Sequence, residues 1–248
     1  MPINAYREDL AYIHDAGHSA VSNAAAQRLV EELRGLGFRH GTVVDLGCGS
    51  GMLACVVSHA GYRVIGMDIS DAMVAIARKR APEAEFYVRS FVSADLPPCI
   101  AVTAIGEVLN YAFDERNGMQ AREDLFRRAY EALAPGGLLM FDMAGSGRAA
   151  SGNQRTFVEG SDWAVLVEAE LDETRHELTR RITSFRQVGT LYRRDTETHR
   201  LILVDPNEIL QSLRSVGFQV QPLDGYSAER LPIGLAGFLS RKPVSDVV

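Results

Sequence analysis

One segment constrains the fold more than any other. A short apolar run at residues 42–46 ends in three glycines at alternating positions, Gly47, Gly49 and Gly51, and a helical pattern follows at once. The run predicts a buried parallel strand. Glycine accepts positive φ and lets a ligand approach bare backbone, while the next helix presents unpaired N–H groups at its N-terminus. The segment therefore predicts a ligand cradle on an α/β sheet.

The spacing of these glycines narrows the choice of ligand. The dinucleotide fingerprint is G-x-G-x-x-G, whereas this chain has G-x-G-x-G, and no Lys-Ser or Lys-Thr of a P-loop follows. Asp45 lies inside the strand, two residues before the first glycine, and Asp68 ends a second apolar run at residues 62–67. A carboxylate at the tip of a second strand can bind both hydroxyls of a ribose.

These residues carry a family resemblance. The sequence V-V-D-L-G-C-G-S-G followed by V-I-G-M-D-I-S resembles motifs I and II of the class I S-adenosylmethionine (SAM) dependent methyltransferases, and the similarity continues at residues 101–111 and 133–137. The resemblance implies SAM as the cofactor and methyl transfer as the activity. It also implies a Rossmann-like α/β fold, a doubly wound and mostly parallel seven-stranded sheet.

The order of patterns along the chain agrees with one domain over residues 1–248. Apolar runs predict five core strands, at residues 42–46, 62–67, 85–89, 100–105 and 138–143. Helices are predicted between them, at residues 50–60, 71–80 and 119–133. A hairpin of strands 218–223 and 235–240 closes the sheet, as the resemblance implies.

Two regions lie outside this repeating pattern. Residues 1–40 read as two helices, which the resemblance implies form a lid over the SAM site; the alternative is a packing helix. Residues 144–155 are rich in Gly, Ser and Ala and predict a linker. Period-two alternation then predicts an inserted antiparallel sheet of three strands within residues 150–203. Its arginines alternate in direction and are interleaved with acids, so we expect a solvated face.

The resemblance implies roles for the residues of the cofactor site. Asp68 would bind the ribose, and Asp45 would order the methionine end through loop N–H groups or water. Gly106 at the end of the fourth strand would hold the SAM amino group with its backbone. Ser90 stands where many relatives have an Asp for the adenine edge. The other predicted contacts are backbone at Gly47, Cys48 and Gly49, apolar walls at Ile69 and Met73 (alternatively core for Met73), and the Phe91 N–H.

Catalysis needs chiefly alignment of a nucleophile with the methyl group, and a base is needed where the acceptor arrives protonated. Glu107 directly follows the fourth strand and is the first choice of base; its alternative is to orient the substrate or bind the SAM amino group. Tyr111 is the second choice of base, and His14 and His18 of the N-terminal segment are two further candidate bases. Relatives often carry an acid inside the fourth strand, where this chain has Ile100 and Ala101. Candidate substrate contacts are Tyr12, His14, Trp163 and Tyr192.

Composition limits the partners. A net charge of −6 disfavours a dedicated nucleic-acid binder, so we expect a small-molecule N or O nucleophile as acceptor. The three cysteines show no metal-ligand spacing, which predicts no metal site and reduced thiols in the cytoplasm. The sequence contains no long apolar run, so we expect neither a signal peptide nor a membrane span. A homodimer formed through the inserted strands is expected from the resemblance. Two alternatives remain, a non-catalytic SAM-binding protein and a nicotinamide-dependent oxidoreductase.

Overall fold

The computed structural model describes residues 5–17, 19–149 and 154–244, with residue 19 described by its backbone alone. Six α-helices occur in this part of the chain: α1 (Glu8–Gly17), α2 (Ser19–Gly35), α3 (Met52–His59), α4 (Asp71–Arg80), α5 (Met119–Ala132) and α6 (Pro206–Val216). Local sequence explains their ends. Ser70 accepts the Met73 N–H as the N-cap of α4, and Asp205 precedes a proline at the start of α6.

The central sheet contains five parallel strands: β1 (Thr42–Leu46), β2 (Arg63–Asp68), β3 (Glu85–Val88), β4 (Cys99–Ala104) and β5 (Leu133–Ala144). Four more strands follow, β6 (Gln154–Glu159), β7 (Trp163–Asp172), β8 (Glu177–Val188) and β9 (Leu191–Ile202). The chain ends with β10 (Gln219–Leu223), the short pair β11 (Gly225–Tyr226) and β12 (Glu229–Arg230), and β13 (Leu235–Arg241).

The strand order of the central sheet is β10-β13-β5-β4-β1-β2-β3. Because β13 runs antiparallel to both β5 and β10, the sheet is mostly parallel with an antiparallel edge. Helices α2, α3 and α4 pack on one face through residues such as Leu29 and Val57, and α5 and α6 pack on the other through Phe126 and Leu213. The predicted doubly wound, seven-stranded α/β fold is confirmed.

Two predictions about strands were wrong in detail. The second sheet has four strands, in the order β6-β7-β8-β9, where the alternation predicted three. Strand β6 was missed because every one of its residues is exposed, so no buried face marks it in the sequence. Strand β5 begins at Leu133 rather than at residue 138. Its Pro-Gly-Gly segment is held in strand conformation by two backbone hydrogen bonds with Lys242, the residue after β13. The Gly136 N–H donates to the Lys242 carbonyl (2.9 Å), and the Lys242 N–H donates to the Gly137 carbonyl (2.9 Å).

The four-stranded sheet is joined to the central one at few points. Isolated bridges link Tyr111 with Leu201 and Gly145 with Val204, and α1 packs against β7 and β8 through Leu10 and Ile13. The sheet therefore stands over the ends of the parallel strands. Within the described ranges, no helix is both long and apolar enough to cross a membrane.

Candidate active site

One cavity of about 550 Å³ lies where the carboxyl ends of β1, β2 and β4 meet the four-stranded sheet. Ligands of open α/β sheets bind at this edge. The loops after β1 to β4 form its loop half, and Tyr6 together with side chains of β7, β8 and β9 forms its sheet half. Twelve of the residues singled out in the sequence line it: His14, Gly47, Cys48, Gly49, Asp68, Ile69, Met73, Ser90, Phe91, Gly106, Glu107 and Tyr111.

The glycine loop and Asp68 form one hydrogen-bonded unit. Gly47 has φ of 64° and Gly49 has φ of 51°, a region that glycine adopts without strain. A Cβ on Gly47 would overlap the side chain of Val108. The Asp68 carboxylate accepts the Gly49 N–H (2.9 Å) and the Ser70 N–H (2.8 Å). Burial raises the pKa of Asp68, and these N–H groups act against that rise. Each oxygen keeps a lone pair for a further donor.

Asp45 lies beneath this loop and does not line the cavity. Its Oδ1 accepts the Thr103 hydroxyl (2.7 Å), and its Oδ2 is buried without a hydrogen-bond partner in the described ranges. Burial raises the pKa of this carboxyl to about 7. The Oδ2 atom needs a donor, and a water molecule between Asp45 and the cofactor would supply one. The role expected for Asp45 stays a prediction.

Ser90 and Phe91 border the loop half on the side of β3, with Ile69 and Met73 opposite. The Ser90 hydroxyl accepts the Val92 N–H (3.3 Å) and also interacts with the carboxylate of Asp114, which lines the same cavity. Hydrogen bonds from Arg116 hold the pKa of Asp114 far below its usual range. Asp114 therefore supplies a carboxylate next to Ser90, and it was not predicted because it is 24 residues further along the chain.

The chain leaves β4 through two residues with positive φ, Gly106 (91°) and Glu107 (62°). The fully buried Asp142 accepts both of their N–H groups, at 3.0 and 2.7 Å, and also the Tyr226 hydroxyl at 3.0 Å. Asp142 lies behind the cavity wall, in agreement with the structural role that its place in β5 favours. Because its N–H is already bonded, Gly106 offers only its carbonyl to a ligand, which is the group that an ammonium needs.

Glu107 is the centre of a buried ion triad. Arg180 donates to both carboxylate oxygens (2.7 and 3.0 Å), and the Arg148 Nε donates to Oε1 (2.5 Å). Burial acts to raise the pKa of Glu107, but the two guanidinium groups hold it below its usual value. A carboxylate with a lowered pKa and two cationic partners accepts a proton poorly at neutral pH.

Tyr6 joins the two halves of the cavity. Its carbonyl accepts the Ser70 hydroxyl (2.9 Å), while its N–H donates to Glu197 of β9 (2.8 Å). Its hydroxyl is hydrogen-bonded to that of Tyr111 (2.9 Å), and His14 packs edge-on against its ring. Further along, Asp15 binds Arg80 of α4 (2.6 Å). Tyr6 and the second half of α1 thus cover the loop half, and their service as a lid stays a prediction. His18 lies outside the described residues.

Three residues expected to contact the substrate do not line this cavity, and their role stays a prediction. Tyr12 donates to Asp162 (2.8 Å) and lies under the Arg186 guanidinium (3.8 Å), away from the cavity. Trp163 is buried in the apolar cluster that joins α1 to β7 and β8, and its own side chain does not line the cavity. Tyr192 is 59% exposed near the β8–β9 turn. Aromatic character was the only sequence signal for these positions, and it is shared by interface and surface residues.

Sequence reasoning missed part of the sheet half. Arg180 was grouped with solvated arginines, yet it reaches the cavity and Glu107. Directly opposite it on β9 stands His199, and Phe113 stacks on Tyr111 beside them (5.1 Å between ring centroids). Alternation could have placed Arg180 and Ile182 on one face with Leu178, but it could not show which face meets the cavity.

Comparisons with known proteins agree with this geometry. Residues 43–137 match the family model of the methyltransferase domain. A protein of Geobacillus sp. named as a methyltransferase is 27% identical over 91% of this chain and 94% of its own length. A trans-aconitate 2-methyltransferase of Paracidovorax citrulli is 41% identical over 41% of this chain and 38% of its own.

Solved structures share the fold. A SAM-dependent methyltransferase from Clostridium acetobutylicum superposes with a TM-score of 0.79, at 16% identity over 94% of this chain and 97% of that one. A sugar N-methyltransferase from Streptoalloteichus sp. gives a TM-score of 0.73, at 20% identity over 95% and 92%. The glycine loop, the strand-tip carboxylate of Asp68 and these matches together support a class I SAM-dependent methyltransferase with SAM as its cofactor.

Proposed function

We propose that the protein transfers the methyl group of SAM to a nitrogen or oxygen nucleophile of a small molecule. The observation that carries the proposal is the cavity itself, which runs from the glycine loop to the inner face of the four-stranded sheet. Its volume of about 550 Å³ falls within the range of small-molecule sites, roughly 300–1,000 Å³. Walls on both sides favour a small acceptor over a nucleic acid.

The loop half is suited to the cofactor. We propose that Asp68 binds the ribose hydroxyls and that the Gly47–Gly49 backbone approaches the methionine end, with the Gly106 carbonyl for the amino group. Ile69, Met73 and Phe91 supply apolar contacts, and Ser90 with Asp114 supplies polar ones, for adenine. Bound SAM supplies an activated methyl group on a sulfonium, so the chain itself needs chiefly to orient the acceptor, which can lower a barrier by ~7–11 kcal/mol.

For Glu107 we propose an orienting role. The two arginines hold the carboxylate at the junction of the two halves of the cavity, and the carboxylate in turn holds the arginines there. Burial raises the pKa of Tyr111, so its hydroxyl stays protonated and can hydrogen-bond an acceptor. Neither side chain is therefore proposed as the base.

Two relatives bracket the acceptor chemistry. The trans-aconitate methyltransferase is named for a carboxylate acceptor, but its match spans 105 residues. The sugar N-methyltransferase is similar over 95% of this chain, which includes the sheet half, although 20% identity shows the fold alone. Nitrogen and oxygen acceptors therefore both belong in the test.

The test has two stages. Thermal shift with SAM, S-adenosylhomocysteine (SAH) and NAD should show stabilisation by the first two alone. Labelled SAM is then incubated with a panel of amino sugars, amines, hydroxy acids and carboxylates, and label transfer is followed by mass spectrometry. Label on a small N or O acceptor is the expected result. Stabilisation by SAH without transfer to any panel member would contradict the proposal.

Homodimerisation through the four-stranded sheet stays a prediction. Phe157 and Leu166 are directly paired across β6 and β7, and they are 71% and 46% exposed. Light scattering of the wild type beside Phe157→Asp would detect a dimer that this face supports.

A further inference from the structure

His199 is buried and surrounded by aromatic rings in the sheet half of the cavity. It is 1% exposed and lies among three aromatic rings, with centroid distances of 4.8 Å to Tyr6, 4.9 Å to Phe113 and 5.9 Å to Tyr111. It lines the cavity, and it stands across the β8–β9 ladder from Arg180. A buried imidazole N–H needs a hydrogen-bond acceptor, and the partner shows which ring nitrogen carries the proton.

His199 does have such a partner. Its Nε2 lies 2.9 Å from the Oε2 of Glu197, whose side chain is 2% exposed. Burial acts to raise the pKa of Glu197, but the bonds from His199 and from the backbone of Arg7 and Tyr6 bring it below its usual value. Glu197 is therefore an ionised acceptor, which requires that Nε2 carries the proton. In neutral imidazole this leaves the lone pair on Nδ1.

The same carboxylate fastens the N-terminal segment. Glu197 accepts the Tyr6 N–H (2.8 Å) on Oε2 and the Arg7 N–H (2.7 Å) on Oε1. Tyr6 also contacts the loop half through Ser70. The carboxylate that orients His199 therefore also holds Tyr6, which contacts the loop half of the cavity.

We propose that His199 is the general base that takes the proton from the acceptor, with Glu197 as its positioning residue. This inference rests on the proposed function and narrows it to acceptors that carry a hydrogen on the attacked nitrogen or oxygen. As the acceptor lone pair forms the bond to the methyl carbon, the carbon–sulfur bond breaks and its electron pair stays on sulfur as a neutral thioether. The acceptor proton moves to Nδ1, and Glu197 stabilises the imidazolium.

The surrounding charges set the balance for this step. Glu197 on the same strand favours the imidazolium, whereas Arg180 on β8 opposes it. Arg7 contacts the Glu197 carboxylate, and the other titratable or charged groups that line the cavity are Tyr6, His14, Asp15, Cys48, Asp68, Arg89, Tyr111, Asp114 and the Glu107–Arg148 pair. The triad of Glu107, Arg148 and Arg180 keeps a net charge of +1, so Glu197 is the group that compensates a transient positive charge on His199.

The first test needs no acceptor. Protein labelled with ¹⁵N-histidine is saturated with SAH, and the His199 ring signals are assigned by their loss in His199→Asn. We expect the tautomer protonated at Nε2 with a free Nδ1 at pH 8, and a loss of that preference in Glu197→Gln. An Nδ1-protonated ring, or one doubly protonated across pH 6–9, would overturn the proposal.

The second test uses the acceptor that the labelled-SAM panel identifies. His199→Asn should lower kcat by ~10²–10⁴-fold and remove one ionisation from the pH profile of kcat/KM, while SAH affinity stays unchanged. Glu197→Gln should lower kcat with the same profile shifted. The control is His176→Asn, at the exposed β7–β8 turn of the same sheet. Full activity of a folded His199→Asn protein would refute the role. Absence of turnover by the wild type would refute the proposed function instead, and the NMR result would still decide the state of His199.

Discussion

Asp68 provides the sharpest test of the cofactor site. Its carboxylate lies at the tip of β2 and accepts two backbone N–H groups, one on each oxygen. In Asp68→Asn the amide keeps one accepting oxygen, and its NH₂ group opposes one of those N–H donors in either orientation. A hydrogen bond to a charged group contributes ~1.5–3 kcal/mol, so loss of the ribose contact should weaken SAH binding roughly 10- to 150-fold.

Isothermal titration calorimetry is run at pH 8, because burial raises the pKa of the Asp68 carboxyl and an alkaline buffer favours its ionised form. The matched control is Asp71→Asn, an exposed acid in the first turn of α4. A ligand-side control separates ribose binding from loop disturbance, because 2′,3′-dideoxy SAH lacks the hydroxyls. The penalty of Asp68→Asn should largely vanish with this analogue. An equal penalty for both ligands would refute the ribose contact, and no penalty for either would refute any role for Asp68 in binding.

Three further variants test the electrostatics and packing of the site. The pKa of Asp45 is raised to about 7 in the folded protein, whereas its ordinary value is ~3.9. Between these pH values the native state binds more protons than the unfolded state. The free energy of unfolding should therefore fall as pH rises through that window, by at most ~4 kcal/mol. Urea unfolding at pH 5 and pH 8 should show that Asp45→Asn abolishes this decline; an undiminished slope would contradict the assignment. Glu107→Gln leaves two partly exposed arginines, Arg148 (25% exposed) and Arg180 (16% exposed), without an anion and should lower the free energy of unfolding by ~1–3 kcal/mol, whereas no measurable loss would mean that solvent already compensates the triad. Gly47→Ala places a Cβ against Val108 at a φ of 64° and should reduce both Tm and SAH affinity, while Gly35→Ala, with no atom within 4 Å of the added carbon, should be neutral or stabilising.

The central sheet could be predicted because its signals are local. The run that ends at Gly47 and the run that ends at Asp68 each carry a strand and its turn within a few residues. Strand β6 has no such signal, since all its side chains are exposed and only its pairing with β7 defines it. The early start of β5 likewise depends on a distant partner, Lys242, which the Pro-Gly-Gly sequence alone does not reveal.

The same distinction applies to the cavity. Its loop half comes from residues next to strand ends, so Gly47, Asp68 and Gly106 could be named from the sequence. Its sheet half depends on which face of β8 and β9 turns inward, and this is decided by packing against α1 and by the loop after β4. Arg180 and His199 therefore look like ordinary strand residues until the tertiary structure brings them together.

The layout of the two sheets separates two tasks along the gene as well as in space. Residues 154–202 form one uninterrupted block, entered after β5 and left before α6, and this block carries nearly all of the β-sheet wall that an acceptor meets. The residues proposed to bind the methyl donor all lie before that block in the chain, between Gly47 and Asp114. A new acceptor preference can therefore arise through replacement or drift of a single contiguous cassette, while the donor chemistry is inherited intact.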